Sequence, residues 1–136
     1  MTVYIMCITS EADVAAVAGH LEGTHVPFIR GPRGRLNMLI AHDVLVVVAH
    51  GNDENIGTSS NANDLSPQAF ATLLINQHGL PDNAITVDVA ACDTVQFAQN
   101  LQAEFAGSDH GNVRAHGQPG AFQLDATFQP TDLHPH

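Results

Sequence analysis

The chain has 136 residues, 44% of them hydrophobic, which is enough for one domain with a proper core. Fourteen acidic residues against four arginines and no lysine give a formal charge of -10; this excludes a phosphate-backbone partner and an anionic membrane surface, and favours cationic peptides. With two cysteines, no apolar run near ~18 residues and no charged segment ahead of an apolar one, the expectation is a protein without signal peptide or membrane span, cytoplasmic or delivered as an effector, with reduced thiols.

Thr2 to Thr9 is β-rich and predicts the first strand, with Cys7 a small buried hydrophobe. Ser10 and Asp13 form a capping-box pattern, and Val14, Val17, Ala18 and Leu21 recur at helical spacing, so a helix is expected over 11–22. Val26 to Arg30 reads as a short strand, and Gly31 to Arg35 as a surface loop. That loop gathers Arg30, Arg33 and Arg35, three of the four basic residues, in and beside an exposed segment of an acidic domain; it is a candidate self-cleavage site as well as an ordinary solvated loop. Leu36 to Ala41 is apolar but too short to type. Val44 to Ala49 is apolar at every position, as in a strand buried on both faces, and it delivers His50.

Gly51 to Leu65 is read as a long loop. Ser66 and Pro67 open a helix whose face carries Phe70, Leu73, Leu74 and Gln77, and Gly79 with Pro81 ends it. Ile85 to Ala91 is a second buried strand, ending in Cys92. Asp93 or Thr94 caps the next helix, where Phe97, Leu101 and Phe105 share a face and Gly107 closes the run. Asn112 to His116 reads as a short strand, Gly117 to Gly120 as a turn, and Phe122 to Phe128 alternates as an edge strand, before a loose tail over 129–136. The alternation of strands and helices predicts a single domain over 1–136, an α/β protein with a mostly parallel sheet in a three-layer α/β/α sandwich. In such a sheet ligands bind at the carboxyl ends of the strands, where His50 and Cys92 fall.

An apolar strand ending in His50 and Gly51, a helix, then an apolar strand ending in Ala91 and Cys92 resembles the caspase-like clan of cysteine peptidases, which includes caspases, legumains, gingipains, CHAT-domain proteases and the autoprocessing domains of bacterial toxins. The resemblance covers roughly residues 43–105, and the run ACDT is closest to CHAT-type proteins. His50 and Cys92 are 42 positions apart, close to the ~50 of caspases. Ala90 stands where caspases carry glutamine, and Thr94 where they carry glycine. The resemblance implies a caspase-like fold and a cysteine endopeptidase needing no cofactor. Cys92 is then the nucleophile, His50 the proton-transfer residue, and the backbone amides of Gly51 and Cys92 the oxyanion hole.

The residue types suit that chemistry independently. A thiol at a helix N-terminus beside an imidazole is readily ionised, although Asp93 opposes this, and a glycine after the histidine permits close approach of substrate and of an N–H. Asp88, on the same side of its strand as Cys92, is a carboxylate in a stretch otherwise fit for burial. It is either a structural partner of a hydroxyl or amide, or, with Asp53, Glu54 and Asp93, a candidate for binding a basic residue before the scissile bond. Other readings stand beside these. Cys92 as a packed small hydrophobe and His50 as a hydrogen-bonded strand-end residue give an inactive interaction module. Cys92, His50 and His116 give a zinc site with an open fourth position, and His134 and His136 are tail residues able to hold metal adventitiously.

Overall fold

The computed structural model describes residues 2–8, 23–25, 36–51, 55–57, 65–91 and 94–117. The apolar β-branched runs pair with one another: β1 (Val3–Cys7), β2 (Thr24–His25), β3 (Val44–Val48), β6 (Thr86–Ala90) and β7 (Arg114–His116) form a five-stranded sheet in the order β2-β1-β3-β6-β7. Every pairing in it is parallel. Two further short strands, β4 (His50–Gly51) and β5 (Ile56–Gly57), form a separate antiparallel pair.

Register explains why the sequence of β3 shows no alternation. One face of the sheet carries the rows Tyr4, Leu45, Val87, Ala115 and Met6, Val47, Val89, which belong to or pack against the main hydrophobic cluster. The other face carries Ile5, Val46, Asp88, His116 and Cys7, Val48, Ala90. Ile5, Val46, Val48 and Ala90 are as inaccessible as the residues of the first face, so the central strands are apolar on both sides. Cys7, expected to be fully buried, ends β1 half-buried.

Helix α1 (Pro67–Thr72) begins as its sequence predicts, with the Ser66 hydroxyl accepting the Ala69 amide at 3.1 Å. It then widens into a π-turn over Leu73–Gln77, where the His78 amide reaches back to Leu73 O. Gly79 adopts φ 72° and the Leu80 amide bonds Leu74 O at 2.9 Å, a Schellman closure that a residue with a Cβ would strain. Helix α2 (Val95–Gly107) lays Phe97, Ala98, Leu101 and Phe105 on the sheet and tilts Phe97 against Phe70 of α1 at 6.4 Å between ring centroids. Gly107 is its last helical residue, and Asp109, at φ 63°, takes the left-handed position beyond it.

Several expectations are revised. The run from Gly51 to Leu65 is not a plain loop: Ile56 pairs with Gly51 in β4 and bridges to Leu65, and both Ile56 and Leu65 enter the core. Thr24–His25 forms a strand beside β1, the expected strand over 26–30 lies outside the described residues, and β7 starts at Arg114 rather than Asn112. Residues 36–42 form a turn with Leu36 and Leu39 buried and Met38 and Ile40 exposed. The expected helix over 11–22, the arginine loop over 31–35, the edge strand over 122–128 and the tail lie outside the described residues. No helix among the described residues is long and apolar enough to cross a membrane.

Candidate active site at the carboxyl ends of two central strands

The site is built by two neighbouring parallel strands. Val48 of β3 lies level with Ala90 of β6, and the ladder continues one residue further through the Ala49 amide to Ala90 O at 3.4 Å. His50 and Cys92 are separated by the same 42 residues as each register pair, Val44 with Thr86 and Val48 with Ala90. Beyond Ala49 the chain leaves the main sheet: His50 and Gly51 pair with Gly57 and Ile56. Only the backbone of His50 is described, and Cys92, Asp93, Asp53 and Glu54 lie outside the described residues.

The described residues on either side of Cys92 are tied to one another. Thr94, completely buried, donates its hydroxyl to Ala91 O at 2.8 Å, with Val89 O at 3.4 Å. Thr94 is the N-cap of α2, as expected, but its side chain caps no helix amide; it ties the helix start back to the end of β6. Its own carbonyl accepts the Ala98 amide at 2.8 Å and begins the helix. Gly117, just after β7, packs so closely on this start that a Cβ would collide with the Thr94 carbonyl. Neither role was legible in the sequence, because a threonine at a helix start signals a cap and the run Gly117 to Gly120, with Pro119 inside it, signals a turn.

Asp88 lies in the row between Val46 of β3 and His116 of β7. Only 5% of its surface is exposed, its Oδ1 has no hydrogen-bond partner, and burial pushes its pKa up to about 7. A second buried carboxylate shows the contrast. Asp43, 3% exposed, accepts the amides of Thr2 and Ile40, each at 2.9 Å, just before β3 at the opposite end of that strand from His50. Burial pushes its pKa up, but the Ile40 and Thr2 amides outweigh this and hold it below the usual carboxylate value. Asp43 is thus a structural clamp, whereas Asp88 has a buried oxygen that nothing described satisfies.

His116, the third residue of the zinc reading, ends β7 level with Asp88 rather than with the last residues of β3 and β6. No cluster of three metal-ligating side chains occurs among the described residues, a set that leaves out Cys92. Comparison of the chain with protein-family models, with curated proteins and with solved structures finds no match.

Proposed function

We propose that the chain is a caspase-like cysteine endopeptidase domain of three-layer α/β/α build that cleaves peptide bonds through a thioester on Cys92. The observation that supports this reading is the register of β3 on β6, whose last paired residues Val48 and Ala90 stand level, each two residues before His50 and Cys92 in the sequence. The strand order adds support, since it reverses direction between β1 and β3 and opens the crevice in which such sheets bind ligands next to His50. Burial of both sheet faces supports the three-layer build.

In this reading the Cys92 thiolate attacks the scissile carbonyl carbon, forming the C–S bond, while the Gly51 and Cys92 amides receive the charge on oxygen. The C–N bond then breaks and the leaving amine takes its proton from the His50 imidazolium. Water attacks the thioester and gives its proton to the His50 imidazole; the C–S bond breaks, the acid leaves, and the thiolate and imidazolium are restored. An unsatisfied carboxyl at Asp88, with Asp53 soon after His50 and Asp93 next to Cys92 in the sequence, suits a peptide substrate with a basic residue before the cleaved bond.

The test is a peptide electrophile ending in arginine, followed by mass spectrometry. One equivalent is expected on Cys92, with none on the Cys92→Ala variant and much slower addition in His50→Ala. Iodoacetamide should likewise modify Cys92 much faster than Cys7. Because Cys7 is only half-buried, the adduct must be mapped to its residue. Equal labelling of the two cysteines overturns the assignment.

A further inference from the structure

Helix α2 and β7, the outermost strand among the described residues, leave between them a groove of about 300 Å³, lined by Gln99, Gln102 and Arg114 over a floor of Ala103, Ala106 and Gly111. It is separate from the strand ends that carry His50 and Cys92. Gln102 Oε1 accepts the Ala115 amide at 3.1 Å. With its carbonyl turned to the strand amide, the Gln102 carboxamide is oriented so that its NH2 can donate to a ligand. Arg114 is exposed, and its guanidinium makes no hydrogen bond or ion pair among the described residues. It is the one arginine or lysine among them, in a chain of net charge -10. No carboxylate lines the groove among the described residues.

We infer that this groove binds a carboxylate, with the Arg114 fork gripping its two oxygens and Gln102 Nε2 donating beside it. A planar singly charged group matches the guanidinium in a bidentate fashion. The strongly negative whole-molecule charge disfavours phosphates, which carry more charge. The volume accommodates a small acid or the terminal residue of a peptide.

The experiment is an NMR titration of the isotope-labelled full chain with sodium acetate, with a short neutral peptide bearing a free carboxyl terminus, with its carboxamide, and with inorganic phosphate. Saturable shifts are expected at the Gly111 and Ala115 amides and the Gln102 side chain with a carboxylate probe. Response to acetate and peptide acid alike identifies small carboxylates as sufficient, and response to the peptide acid alone identifies a chain terminus. Arg114→Gln should weaken binding by about tenfold or more without lowering Tm, because the side chain has no described partner. Gly111→Leu should abolish it by filling the groove while leaving Arg114 in place, since a Cβ at Gly111 meets nothing within 4 Å. The inference is overturned by absence of saturable shifts with both carboxylate probes, by equal binding of the carboxamide, by tighter binding of phosphate, or by unchanged affinity in both variants.

Discussion

A carboxyl group in the position of Asp88 keeps its proton further up the pH scale than it would in the unfolded chain, and stability depends on that difference. Its folded value of about 7 lies above the ordinary 3.8, so between these values the folded state binds more proton than the unfolded one. Stability from this residue is therefore greatest below pH ~4, falls as pH rises towards 7 and is level above it. A shift of that size corresponds to about 4 kcal/mol as an upper bound. Asp88→Asn keeps the shape and removes the titration. By urea unfolding, the variant should gain on wild type from pH 5 to pH 8, by a few kcal/mol at the upper end. A constant difference across that range would show that a charged partner already compensates Asp88. The residue itself was legible in the sequence as a lone acid in an apolar strand. Asp43 was not, because its two amide partners come from a neighbouring turn and from the start of β1, contacts that no local pattern encodes.

Elements were legible where one face alone meets the core. The Phe97, Leu101 and Phe105 spacing located α2, and Ser66, Pro67 and Gly79 marked both ends of the helical segment that contains α1. The π-turn was not visible, because the apolar residues of Leu73–Gln77 fit either a four- or a five-residue hydrogen-bond spacing. Ile56 and Leu65 were missed because a single apolar residue has no period. The join between β6 and α2 was also hidden, and it bears on the site. Thr94→Val keeps the volume but leaves Ala91 O without its hydroxyl donor, so a loss of about 1–2 kcal/mol is expected. Adduct formation at Cys92 should slow in parallel, and Thr94→Ser should restore both. Stability lost with unchanged Cys92 reactivity would confine Thr94 to a structural role. Gly117→Ala, which drives a Cβ into the same helix start, should reproduce the combined defect.

At the scale of the molecule, the sheet's register bears on a rival chemistry that the sequence left open. Parallel architecture could be read from buried strands alternating with helices, but strands apolar on both faces carry no mark of which residues stand level. That information lies in the pairing, and it places His116 beside Asp88 and Val46. Val46 is two residues before Val48, the last residue of β3, an axial offset of about 7 Å along a strand. A zinc ion would need Cys92, His50 and His116 to converge on one point with ligand bonds of about 2.0–2.3 Å, whereas the register sets His116 well below the ends of β3 and β6. A thiol–imidazole pair asks only for two adjacent strand ends. The two readings separate in one experiment, because a metal bound only by the folded state raises stability and its removal lowers it. Treatment of the purified full chain with a strong chelator is expected to leave both Tm and the alkylation rate of Cys92 unchanged. Zinc present at one equivalent, with a fall in Tm on chelation and faster alkylation of a thiol released from the metal, would replace the peptidase assignment by a metal site.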